Sequence, residues 1–173
     1  MTTLPITPVV LPKDLKGQNN GLLRGVLTSV PGGQLHHLAA QAYLALCAKA
    51  KAENIVLEPT SPVDTYRPFA VQESTFFKRY DNTKRNTRHE VYQGKDWWLK
   101  PGVAGCAVPG TSNHGWGLAI DIAHVDDTKL AWLLRNAAAY GFSWEDQSEN
   151  WHIRYIAGDK VPAAVANWLK TGK

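Results

Sequence analysis

Thr111–His124 reads TSNHGWGLAIDIAH. Its second half alternates. Leu118, Ile120 and Ile122 fall on one face of an extended strand; Ala119, Asp121 and Ala123 fall on the other. The first face predicts a core. The second carries one carboxylate between two methyl groups, which leaves room for an ion beside Asp121. His114 stands seven residues upstream. An extended chain would hold the two apart by roughly 23 Å, so sharing one ion requires a turn between them. Gly115 and Gly117 are expected to supply it, since glycine accepts backbone angles that other residues avoid. One histidine or one aspartate of this kind is most often a loop, core or salt-bridge residue, so the question is whether partners exist elsewhere.

They do, in Glu149–Tyr155, ENWHIRY. In a strand, Trp151, Ile153 and Tyr155 would share the core face, while His152 and Arg154 would face a cleft. His152 becomes a third candidate ligand. Glu149 lies three positions before it, and a strict strand would send the two to opposite faces. A bend or bulge is therefore expected at Glu149. A catalytic zinc site uses three protein ligands with one position open, and a carboxylate to take a proton from water. His114, Asp121, His152 and Glu149 meet that demand.

Working outward, the 173 residues suit one domain, 1–173, able to bury a real core. Residues 1–33 are rich in Pro, Gly and Asn and read as an extended arm, with a short strand near 22–27. Residues 34–52 repeat apolar positions at helical spacing. NIVLEP, 54–59, reads as a strand stopped by Pro59. A helix is expected over 68–80, with Pro68 in its first turn. Residues 81–110 read mostly as loop, a length that is usually functional. The stretch DDTKLAWLLRNAAAYG reads as a helix with an acidic or Thr cap and a stop at Gly141. NWHIRYIAG reads as a strand, and DKVPAAVANWLK as a closing helix with Asp159 as N-cap. The class is α+β: a small, mainly antiparallel sheet flanked by helices.

Composition narrows the partners. Nineteen Lys and Arg against fifteen Asp and Glu give a formal charge of +4, which suits an anionic partner as well as it suits a plain basic surface. No run of five like charges marks a nucleic-acid tail. Seven Trp offer flat faces for a core wall or a sugar or peptide groove. Cys47 and Cys106 form no CxxC pair, so a thiolate zinc knuckle and a redox motif are both excluded; one disulfide or two thiols remain open. The N-terminus lacks the basic start and apolar run of a signal peptide, and no stretch is long enough to span a membrane. Synthesis in the cytoplasm without a signal peptide is the expectation. SxxK, the Walker loop and GxSxG are absent. GWGLAI fails as a dinucleotide fingerprint at Ile120, and HEVYQ fails as HExxH at Gln93.

The set of residues resembles the zinc D-alanyl-D-alanine peptidases of peptidoglycan, which share a fold with the hedgehog signalling domain. The family pattern SxHxxGxAxD is met by Ser112, His114, Gly117, Ala119 and Asp121. ExxH is met by Glu149 and His152, with Trp151 before the histidine. A Tyr-Arg pair is met by Tyr66 and Arg67. The resemblance covers about residues 34–156. It implies one zinc ion on His114, Asp121 and His152, with Glu149 as general base. Arg67 would meet the substrate carbonyl or carboxylate, and Ser112, Tyr66 and Trp151 would lie on the substrate side. Here SPVDTYR replaces the usual Ser-Gly-Tyr-Arg, so Asp64 and Thr65 stand where the family has small residues. KDWWLKPGVAGCAVPG, 95–110, would line the groove.

The resemblance also implies hydrolysis of a stem-peptide amide bond. A phage-type endolysin endopeptidase, cutting L-Ala-D-Glu or a D-Ala cross-bridge after holin-type release, is the first expectation. A D-alanyl-D-alanine carboxypeptidase or dipeptidase is the second, and a non-catalytic zinc-binding wall module the third. The expected partners are peptidoglycan stem peptides, with no nucleic acid, no stable membrane insertion and a monomeric chain.

Overall fold

A computed structural model describes residues 3–172. Among them the chain forms four α-helices and eight strands, and the strands make three small antiparallel sheets where one sheet was expected. The first is a hairpin of β1 (Leu27–Val30) and β2 (Gly33–His36). β2 runs straight into α1 (His37–Ala52), so that helix starts later than its apolar pattern suggests. The reason is tertiary. The Gln34 carbonyl accepts the Tyr66 N–H, and the His36 N–H donates to the Gly117 carbonyl, which holds residues 34–36 extended. α1 buries Ala39, Ala40, Ala42, Ala45 and Ala50 beside Tyr43 and Leu46, a face whose small side chains allow close approach.

The NIVLEP segment is not a strand. It lies along the third sheet through an isolated Pro59–Ile122 bridge and two backbone bonds, Thr60 N–H to Asp121 O and Ala123 N–H to Glu58 O. Proline lacks the donor that a full ladder needs. α2 (Phe69–Arg79) follows as expected. Residues 81–110 hold more structure than a loop. β3 (Tyr80–Asp81), β4 (His89–Tyr92) and β5 (Lys95–Leu99) pair in the order β3-β5-β4. The hairpin turns at Gln93 and Gly94, both at positive φ (52° and 69°), as a two-residue type I′ turn requires. Phe76 of α2 stacks on Tyr80 and meets Tyr92 and Trp97 edge-on, so this sheet has its own aromatic anchor.

The third sheet carries the site. β6 (Ala119–Asp121), β7 (Phe142–Trp144) and β8 (His152–Tyr155) lie in the order β6-β8-β7. Leu118, Ile120, Ile122, Ile153 and Tyr155 are all at most 1% exposed, as their alternation requires. They pack with α1 and with α3 (Asp127–Asn136), whose N-cap Asp126 accepts the Lys129 N–H. Gly141, at φ +82°, ends the 3-10 turn that prolongs α3. Pro162 holds the N-cap position of α4 (Ala163–Thr171) with no side-chain cap bond, and Asp159 accepts the Lys13 N–H. Trp151 departs from the expected core face and is 41% exposed, because it precedes β8 in a turn. Leu4 and Leu15 tie the N-terminal arm into the core. Cys47 and Cys106 are both free thiols.

Candidate metal centre

β8 is the middle strand of its sheet, so His152 has a neighbour on each side. The ladder pairs it with Asp121 of β6. On the other side Ser143 faces Arg154 and Trp144 faces Ile153, and the next residue of that row is Glu145. Directly opposed residues bring their side chains within reach across antiparallel strands. The result is a row Asp121–His152–Glu145: His152 Nδ1 lies 2.7 Å from Asp121 Oδ1, and Nε2 lies 3.0 Å from Glu145 Oε2.

His114 reaches the same carboxylate from a 3-10 turn, Asn113–Trp116, ahead of β6. Its Nε2 is 3.4 Å from Asp121 Oδ2. Its Nδ1 is 2.9 Å from the Thr65 carbonyl. A carbonyl only accepts, so Nδ1 carries the proton and Nε2 presents a lone pair towards Asp121. The turn itself divides its labour between the two glycines. Gly117 adopts the left-handed conformation, φ +64°. Gly115 does not; it is needed for clearance, since a Cβ there would sit 1.9 Å from Asn20 Oδ1 and 2.4 Å from Gln72 Nε2.

The ligand atoms of His114, Asp121 and His152 all lie within 4.8 Å of one another. Two imidazoles and one carboxylate, with tautomers held by outer acceptors, are a donor set that fits zinc. The electrostatics agree. Burial lowers the His114 pKa and keeps that ring neutral. Burial also raises the Asp121 pKa, but the adjoining His114 and His152 imidazoles outweigh it and hold the carboxyl well below the usual range. For His152, burial is overcome by Asp121 and Glu145, which push it up to about 9. The hydrogen bond from His152 holds Glu145 at about 2.

The expected bend at Glu149 is present. Asp146 accepts from Ser148, and the His152 N–H donates to the Glu149 carbonyl at 3.1 Å, closing a turn just before β8. The Glu149 carboxylate hydrogen-bonds to no described residue. Burial raises its pKa; His152 opposes this, while Asp121, Asp146 and Glu145 add to it. Arg67 is close by, with Nη2 3.8 Å from Asp121 Oδ2. Its backbone N–H donates to the His114 carbonyl.

Three other expected residues stand differently. Ser112 is buried, and its carbonyl accepts from Asn20 Nδ2 and from the Gly115 N–H; it shapes the loop. The Tyr66 hydroxyl accepts the Leu23 N–H, and its ring lines a groove with residues of the arm between Gly17 and Arg24. Trp151 lies beside Thr3, Leu4, Leu130 and Gln147 in a depression whose lining includes none of the three candidate ligands. Glu145, Asn20 and Gln72 are not among the residues expected from sequence, and Thr65 is marked there only as a departure from the family pattern. For Glu145 a signal existed: Phe-Ser-Trp-Glu alternates like a strand and ends in an acid. For the others the contacts are between distant segments.

A model of the VanY D-alanyl-D-alanine carboxypeptidase family matches residues 32–158. The chain belongs to this family. No curated protein matches it by sequence. Among solved structures, the VanY-family chain is similar to VanYB in complex with D-alanine-D-alanine: 20% identity, TM-score 0.54, covering 95% of this chain and 98% of that one. It is also similar to a vancomycin-resistance D,D-pentapeptidase VanY variant in complex with Zn(II), at 20% identity and TM-score 0.53, covering 99% and 93%. A third likeness is to the LD-carboxypeptidase LdcB, at 19% identity and TM-score 0.50, covering 94% and 72%. At these identities the likenesses establish the fold. Family membership places the chain among the D-alanyl-D-alanine carboxypeptidases that act on peptidoglycan, and its His114–Asp121–His152 cluster could hold a metal ion.

Proposed function

We propose that this VanY-family enzyme hydrolyses an amide bond of the peptidoglycan stem peptide at the His114–Asp121–His152 centre. The observation that carries the proposal is the convergence of these ligands within 4.8 Å near a carboxylate, Glu149, that no donor among the described residues holds. A zinc ion bound there supplies Lewis acidity towards water and the scissile carbonyl. The chain's own residues do the rest. Thr65 takes the His114 Nδ1 proton and leaves that ring's Nε2 lone pair inward, while Glu145 orients His152 from its outer nitrogen. Glu149, half-buried and raised in pKa, takes a proton from water and returns it to the leaving amine. Arg67 donates hydrogen bonds to the oxygen on which negative charge develops. Ser112 holds the loop that carries His114.

The finer reading is an endopeptidase of the phage-endolysin type, cutting L-Ala-D-Glu or a D-Ala cross-bridge. In its favour, the Arg67 charge is already balanced by Asp64 at 2.8 Å, which suits a bond inside a chain. The second reading, trimming of free D-Ala-D-Ala ends, is favoured by the description of the matching family. Mass spectrometry of digested peptidoglycan separates them. New free amines at cross-bridges or at L-Ala-D-Glu support the first, and released D-alanine supports the second. No cleavage by the zinc-loaded protein would sink both.

A further inference from the structure

Asp64 lies three residues before Arg67, and the structure gives it a set of contacts. Its Oδ2 accepts from Ser61 Oγ at 2.6 Å and from Thr60 Oγ1 at 3.1 Å. Its Oδ1 accepts from Arg67 Nη2 at 2.8 Å. Arg67 Nε donates to the Val63 carbonyl at 3.1 Å. Two of the guanidinium's three nitrogens are thus engaged on one short turn, and Nη1 meets no acceptor among the described residues. Both side chains are mostly covered, at 19% and 24% exposure. The guanidinium is therefore fixed in direction, with one nitrogen to spare and its charge matched by a partner that three donors hold in place.

A lone arginine beside a metal centre attracts a free carboxylate first, because a charge-assisted pair is the strongest contact it can make. An arginine already paired retains its hydrogen-bonding direction and loses most of that preference. We propose that Asp64 is a specificity-determining residue. It turns Arg67 from a counter-ion for a free terminal carboxylate into a directed donor for a neutral amide carbonyl. The enzyme then favours peptides in which the residue after the scissile bond is amidated or extended. This inference rests on the peptidase function proposed above.

The test compares Asp64→Asn with the wild type on two probes, an N-acylated D-Ala-D-Ala peptide and its C-terminal carboxamide. Asparagine keeps the shape and an oxygen for Ser61 and Thr60 while removing the charge. The ratio of kcat/KM for the free acid over the carboxamide rises about fivefold in Asp64→Asn, mainly through KM, the factor expected of a partly exposed ion pair. Asp64→Glu keeps the wild-type ratio. A ratio within twofold of wild type in Asp64→Asn overturns the proposal, whatever happens to overall rate. Should that variant not fold, Asp64→Ala reads the same ratio. Calorimetric binding of both probes to zinc-loaded Glu149→Gln, with and without Asp64→Asn, separates the two layers. If the wild type cuts neither probe nor peptidoglycan, the peptidase function fails, yet the binding ratio still decides the role of Asp64. Binding that ignores the substitution, or no binding of either probe, overturns it.

Discussion

Among the described residues, two places bring two histidines and one aspartate together. At the β6–β8 row they are His114, His152 and Asp121; at the start of α1 they are His36, His37 and Asp14. In both, the ligand atoms lie within 4.8 Å of one another. Their chemistry differs, and the difference lies in the other ring nitrogen. His114 Nδ1 faces a carbonyl oxygen, that of Thr65, so its lone pair points into the cluster. His36 Nδ1 accepts the Leu38 N–H as helix N-cap. The proton of that ring therefore sits on Nε2 and is given to Asp14 Oδ1 at 2.9 Å, while His37 Nε2 meets Oδ2 at 2.7 Å. One cluster contains an imidazole, His114, whose inward nitrogen is left with a lone pair for an ion. The other offers N–H groups to a carboxylate, and it latches the Lys13–Leu15 turn onto α1. Residue types alone do not distinguish a metal site from a latch; the partner of the second nitrogen does.

The largest expected effect breaks the first cluster. Asp121→Ala should lower zinc content from about one per chain to near none and abolish peptidoglycan hydrolysis, read by metal analysis and amine release. Retained zinc and activity would move the metal elsewhere, with the latch cluster as the obvious alternative. Next, Glu149→Gln should keep its zinc while hydrolysis falls by about 10²–10⁴; wild-type turnover would remove Glu149 from its role as base. Glu145→Gln should weaken zinc about 10–100-fold in a chelator competition, through loss of the carboxylate that orients His152. An unchanged affinity would show that His152 needs no outer support.

Smaller effects sharpen the contrast. Asp14→Asn should leave zinc stoichiometry untouched and lower the melting temperature by about 2–4 °C. His152 and His36 should also answer pH with opposite signs in the metal-free protein. His152 is pushed up to about 9 in the folded chain. Its contribution is complete below the unfolded value near 6.5 and is lost as pH rises towards 9. His36 is lowered by burial, against which Asp14 works. Its contribution is complete above about 6.5 and is lost as pH falls below that. The melting temperature of the metal-free protein should therefore peak near the pH where the two meet. His152→Gln should flatten the alkaline limb and His36→Gln the acid one. A profile that neither substitution alters would show that these histidines do not carry the pH dependence.

What was legible in sequence follows the same division. The alternation of Leu118, Ile120 and Ile122 and the stripe of α1 could be read because burial repeats at a fixed period. Asp121 and His152 could be paired because each falls on the non-core face of its strand's alternation. The β4–β5 hairpin escaped, because its Gln93–Gly94 turn is an unusual type I′ pair and its strands hold few buried residues. β7 escaped because three residues are too short for a period to show. Trp151 was misplaced because the turn that brings Glu149 round also takes Trp151 out of the strand. Thr65, Asn20 and Gln72 act through hydrogen bonds between segments dozens of residues apart, and nothing local marks such partners.

Gly115 has a consequence for anyone recombining this protein with its relatives. It lies against Asn20 and Gln72 with no room for even a methyl group. Asn20 in turn holds the Ser112 carbonyl and accepts from Gln72. Three stretches of the chain, around 20, 72 and 115, are thus heritable only as a matched set. A chimera that crosses over between the arm and α1 would trade one member of that set for a stranger. It would pass every check on helices and strands and still misplace the loop that carries His114.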